Sequence, residues 1–136
     1  MTAIIALQKG LRARLAETAA VTDLVPAGAI LDRNELPAPD PSIVLGEHQE
    51  LPGDDVARKQ FTINSTLHIW KAEPSLAGVQ AIAGAVRSTL HASRLALDDG
   101  YHCGDCHVID ARFMRDPDGK TGHGVMTIAS IVTEID

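Results

Sequence analysis

The sequence predicts an α+β fold that runs helix, strands, helix and terminal hairpin, and three observations carry that reading. Two segments repeat apolar residues every three or four positions, which puts one apolar stripe on a helix. A segment between them alternates apolar and polar residues, the signature of a strand with one face in the core. Two further alternating segments close the chain around DPDGKTG, a stretch rich in residues that reverse direction.

The first helix is expected from Thr2, a plausible N-cap, to about Ala20, with Ile4, Leu7, Leu11 and Leu15 inward and Lys9, Arg12 and Glu17 on the wet side. Thr22-Asp23 before Pro26 marks a turn, and a brief strand follows at Ala29–Asp32. Pro37, Pro39 and Pro41 make ELPAPDP an extended connection, because each proline removes a donor and restricts the residue before it. Ser42–Glu47 is a short strand. His48–Lys59 (HQELPGDDVARK) is polar, contains Pro52-Gly53 and offers no periodic face, which predicts a long exposed loop. Gln60–Lys71 is the clearest strand, with Phe61, Ile63, Leu67 and Ile69 on one face.

After Pro74, with Ser75 as N-cap, a second helix is expected to about His91, carrying Leu76, Val79, Ile82, Val86 and Leu90 on its stripe. The small residues Gly78, Ala81, Gly84 and Ala85 beside that stripe allow close approach to a sheet or another helix. Leu95–Leu97 reads as a short strand closed by Asp98-Asp99-Gly100. The hairpin strands are about His107–Arg115, with Ile109, Ala111 and Phe113 alternating, and about His123–Glu134.

A length of 136 residues suits one domain, 1–136, large enough to close its own core. Twelve Lys and Arg against 18 Asp and Glu give a net charge of −6, which disfavours a phosphate-gripping surface. The aromatics are only Phe61, Trp70, Tyr101 and Phe113, so no basic, aromatic-rich platform for nucleic-acid bases exists. The N-terminal stretch interrupts its apolar residues with Lys9, Arg12 and Arg14, unlike a signal peptide, and no segment approaches the roughly 20 apolar residues of a membrane span. The expected compartment is the cytosol, where thiols stay reduced and a structural Cys103–Cys106 disulfide is disfavoured.

Both cysteines fall in YHCGDCH, a C-x-x-C-H pattern. Its sharp reading is c-type haem attachment with His107 as axial ligand, and its C-x-x-C core also suits zinc or a redox dithiol. Haem attachment needs export, and zinc lacks a second C-x-x-C or an H-x₃₋₅-H partner. The plainer reading is a turn leading into the hairpin strand, with Cys106 a small half-buried side chain. Cys103, Cys106 and His107 are therefore the ligand set of an alternative reading only, a small metal-binding or redox protein, and no cofactor is expected. GKTGHG lacks the phosphate-loop register, no nucleophile elbow is present, and no catalytic constellation emerges.

LQKGLRARLAETAAVTDLV, PSIVLGE, STLHIWKAEPSLAGVQAIAGAVRSTLHASRLAL and RDPDGKTGHGVMTIASIV together resemble the small tail terminator (tail-completion, minor tail) proteins of long-tailed phages. In the third block a strand ending His-x-Trp leads directly into a helix ending Leu-His. The wording is most similar to the versions encoded in gene transfer agents of alphaproteobacteria, and the similarity runs from Leu7 to about Ile131, with YHCGDCH outside it. The resemblance implies a mixed, mostly antiparallel sheet flanked by two helices and a structural, non-enzymatic role. It also implies a hexameric ring that caps the tail tube, stops its polymerisation and joins the tail to a head connector (stopper) protein. Such a chain would be assembled in the bacterial cytoplasm and carried in the tail of the released particle, with DNA passing through the ring unbound and no membrane involved. A ring protomer needs a contact surface beyond its core, and His48, Glu50, Asp54, Asp55, Arg58 and Lys59 of the expected loop are the candidates.

Overall fold

The computed structural model describes residues 2–35 and 37–135. Helix α1 spans Ala3–Ala16, and a one-turn helix α2 spans Ala19–Thr22. Strand β1 is Ile30–Leu31, β2 is Ser42–Pro52 and β3 is Gln60–Ala72. Helix α3 covers Ala77–Ala92, and the chain closes with β4, Tyr101–Arg115, and β5, Thr121–Glu134. One five-stranded sheet has the order β1-β2-β3-β5-β4. Only β1 pairs in parallel, so the sheet is mixed and mostly antiparallel.

Thr2 caps α1 as expected, its hydroxyl accepting from the Ile5 N–H at 3.2 Å. The helical region breaks in two near Thr18, whose hydroxyl donates to the Arg14 carbonyl at 2.6 Å. At the start of α3 the Ser75 hydroxyl accepts from the Ala77 N–H, and the Glu73 carboxylate accepts from the Gly78 N–H at 2.6 Å. The Asp-Pro-Asp-Gly turn joins β4 to β5 as expected. Asp118 accepts from the Lys120 and Thr121 N–H groups, and Gly119 takes the φ of +70° that favours glycine.

Both long helices lie on one face of the sheet. Leu7, Leu11 and Leu15 of α1 and Val79, Ile82 and Val86 of α3 join Ile63, Leu67, Ile69, Met126 and Ile128 in one buried cluster. Alternate β3 residues Thr62, Asn64, Thr66, His68 and Trp70 stay half-exposed on the other face. The small-residue expectation for α3 needs correction: Ala83 is buried against the sheet, whereas Ala81 and Gly84 face outward. A close approach is made instead at Gly10 of α1, where a Cβ would stand 2.7 Å from the Leu97 side chain and 3.0 Å from the Ala96 carbonyl. That contact holds residues 95–97 as an extended cover without strand pairing, which corrects the short strand expected there.

Two further corrections concern the sheet. The expected loop His48–Lys59 is strand as far as Pro52, because β3 presents backbone groups as far as Gln60 that need partners whatever side chains lie opposite. A register shift between Leu45 and His48 also breaks the alternation that would have revealed it. Likewise YHCGDCH is not a turn but the first half of β4, with register shifts at Cys103/Asp105 and Val108/Asp110. The second shift turns Ile109 out to 53% exposure, while Val108 is buried and Phe113 packs against the core. Of ELPAPDP, Leu36 lies outside the described residues; Asp40 anchors the stretch by accepting from the Ala72 N–H at 2.8 Å.

Candidate functional site

The six candidate contact residues separate into three environments. His48 lies on the helix-covered face, with Nδ1 2.8 Å from the Ser65 hydroxyl and Nε2 2.9 Å from Gln8 Oε1 of α1. With the Gln8 oxygen as acceptor, Nε2 carries the proton and Nδ1 accepts from Ser65, so His48 ties α1 to the sheet in its neutral form. Burial holds its pKa below the ordinary histidine value, against the opposing pull of Glu47. Its placement on an exposed loop is thus corrected.

Asp55 and Lys59 close the β2–β3 connection. The Asp55 carboxylate accepts from the Lys59 N–H at 2.7 Å and from the Gln60 N–H at 3.3 Å, and the first of these chiefly holds its pKa below the usual carboxylate range. Asp54 and Arg58 are exposed at the tip, and Glu50 is exposed on β2 opposite Ile63. Between them Val56 is 97% exposed, an apolar side chain with no role in the core. The Glu134 N–H donates to the Lys59 carbonyl, so the end of β5, followed by exposed Ile135, lies beside this tip.

The uncovered face carries a cluster that sequence reasoning missed. The Trp70 ring stacks on His123 with centroids 3.7 Å apart and planes 7° from parallel. His68 Nδ1 lies 3.0 Å from His123 Nε2, and His68 Nε2 lies 3.7 Å from the Glu47 carboxylate. Burial, then the neighbouring His68, lowers the His123 pKa. His68 and Trp70 share a face by their spacing of two, but His123 joins them only through the Trp70–His123 register. A groove of about 470 Å³ beside Trp70 is lined by Leu31, Ala38, Val44 and His68.

At the other edge Cys103 and Cys106 face the helices, opposite Val132 and Ser130, whereas His107 pairs with Ala129 and points to the opposite face. His107 Nδ1 instead meets the Asp105 carboxylate at 3.0 Å. His107 therefore does not join the two cysteines, and among the described residues no three His, Cys, Asp or Glu side chains are placed to hold a metal ion. The Val108 N–H on the outer edge of β4 donates to His91 Nε2 at 3.1 Å, so the end of α3 covers part of that edge. No helix among the described residues is long and apolar enough to cross a membrane.

The family described as tail completion protein gp17 matches residues 9–133, from the middle of α1 through α3 and into all five strands. The chain belongs to that family. Membership makes it a structural tail completion protein and not an enzyme. Among solved structures, a chain from the virion of a native gene transfer agent particle is similar at a TM-score of 0.86 and 19% identity, covering 97% of this chain and 98% of that one. The gp17 protein of bacteriophage SPP1 is similar at a TM-score of 0.59 and 21% identity, covering 97% and 90%. No curated protein matches the sequence.

The histidines of this tail completion protein predict a pH dependence. His48 and His123 have folded pKa values below about 6.5, so the unfolded chain binds more protons as pH falls through that range. Their contribution is complete above it and is lost progressively below. Denaturant midpoints measured from about pH 8 down to about pH 5 should fall, and His48→Gln should flatten part of the decline. An unchanged slope in His48→Gln would assign that histidine no share.

Proposed function

We propose that this chain is a single-domain tail terminator: hexameric copies form a ring that caps the tail tube, stops its growth and joins the tail to the head connector. The family match over residues 9–133 carries this reading. The likeness to a gene transfer agent virion chain over nearly the full length of both supports placing it in such a particle. Assembly would take place in the bacterial cytoplasm, and the protein would leave the cell in the particle's tail.

Termination by surface complementarity requires two unlike ring faces, one matching the last tube subunits and one rejecting another tube layer while accepting the connector. The β2–β3 tip is a candidate contact, since Val56, Asp54 and Arg58 project there without supporting the core. Glu50 extends the same surface along β2, and Asp55 and Lys59 hold the tip's shape. A net charge of −6 favours a channel that DNA traverses without adhering.

Electron microscopy of the purified chain with its tube protein tests this reading: six-membered rings at tube ends are expected, and monomers at all concentrations with uncapped tubes would reject it. The tip makes a sharper prediction. Val56→Asp combined with Asp54→Lys should leave the thermal midpoint nearly unchanged, because both side chains are exposed, yet weaken ring formation or tube capping. Unimpaired capping would remove the tip from the contact.

A further inference from the structure

On a regular strand, residues three apart point to opposite faces, so Cys103 and Cys106 should be unable to meet. The β4 register shift changes this. Cys103 stands opposite Val132 and Cys106 opposite Ser130, with Gly104 and Asp105 together occupying the place of one residue. The cysteines therefore sit at successive positions on the same face of β4. Cys103 is 2% exposed and donates to the Asp105 carbonyl at 3.2 Å. Cys106 is half-buried and borders an open cleft of about 350 Å³ between β4 and the end of α3, also lined by His91, Arg94 and Leu95.

The surroundings distinguish the two sulfurs. The neighbouring Cys103 first, and then the positive charge of Arg14, favour the Cys106 thiolate over the opposing effects of burial and Asp105 and hold its pKa below the ordinary thiol value. The neighbouring Cys106 sulfur, together with burial, pushes the Cys103 pKa up. Arg14 is itself held by the carbonyls of Thr89, Ser93 and Arg94, so the cleft wall and the charge are one assembly.

We propose that Cys103 and Cys106 form a reversible dithiol–disulfide site that exchanges with low-molecular-weight disulfides, with Cys106 as nucleophile and Cys103 as resolving thiol. The Cys106 thiolate attacks one sulfur of the small disulfide, breaking its S–S bond, forming a mixed disulfide and releasing one thiolate, which takes a proton from solvent. Cys103 then loses its proton to solvent and attacks Cys106 Sγ, which forms the intrachain bond and expels the second small thiol. The protein is oxidised by two electrons, and the small disulfide is reduced to two thiols. The new bond would clamp the bulge of edge strand β4, and thiol reductants would reopen it. This chemistry is independent of ring formation.

The test uses the full-length reduced chain and oxidised glutathione near neutral pH. Intact-mass measurement should show loss of two hydrogens, no lasting glutathione adduct, and loss of both thiols to alkylation, all reversed by a dithiol reductant. Cys103→Ser should stop at one glutathione adduct on Cys106. Cys106→Ser should react at least about ten-fold more slowly, because its remaining thiol is buried and protonated. Circular dichroism checks that each variant folds, and Cys103→Ala serves if Cys103→Ser does not. Two alkylatable thiols persisting in the wild-type chain, a stable adduct without closure, or equal reactivity of the two single variants would each overturn the proposal.

Discussion

Particles assembled without this protein are expected to have DNA-filled heads and tail tubes that are separate, with the tubes abnormal in length and often too long. Nothing in a tube subunit itself ends polymerisation if each added layer recreates the surface that received it. A terminator supplies the mismatch, and its removal takes away both the stop and the joint. Tail-length distributions and the fraction of joined particles, read by electron microscopy, measure the effect. Purified protein added back should restore joining. Head-joined tails of normal length in a clean deletion would sink the terminator role while leaving family membership intact.

Leu67→Ala should produce the largest single-residue loss of stability. Leu67 is fully buried in the central strand and is flanked on the ladder by Leu45 and Met126, themselves buried under the helices. Rigid backbone neighbours on both sides limit collapse into the space left by the side chain, so a loss of about 2–5 kcal/mol is expected. Against a typical total of about 5–15 kcal/mol, that approaches unfolding at growth temperature. Denaturant titration at neutral pH measures it, and a loss below about 1 kcal/mol would mean that the sheet repacks around the cavity. Trp70→Ala makes the informative contrast. Trp70 lies on the face away from α3, and its truncation removes the stack on His123 without opening the core.

Much of the fold was legible where side-chain pattern and backbone need agree. Phe61, Ile63, Leu67 and Ile69 alternate through β3, and Leu7, Leu11 and Leu15 mark α1, because those residues meet the same core over their full length. The Asp118-Gly119 turn was legible because its chemistry is local. Reading failed where pairing overrode pattern. His48 to Pro52 look like a loop, yet they satisfy the backbone of β3. The cysteine stretch looks like a turn, yet it pairs with β5 through a bulge.

The candidate contact set divides along the same line. Exposure of Asp54 and Arg58 follows from a polar tip between two strands and needs no more than local sequence. The sequence by itself therefore determined the element order, the core stripes, the terminal hairpin and the family resemblance, since periodicity, turn chemistry and residue blocks are written along the chain. The tertiary structure alone decided that both long helices share one sheet face, that His48 is bound between α1 and β3, that Trp70 stacks on His123, and that Cys103 and Cys106 share one face of β4. Each of those depends on strand register and on contacts between residues far apart in sequence, where a shift of one residue sends every side chain to the opposite face.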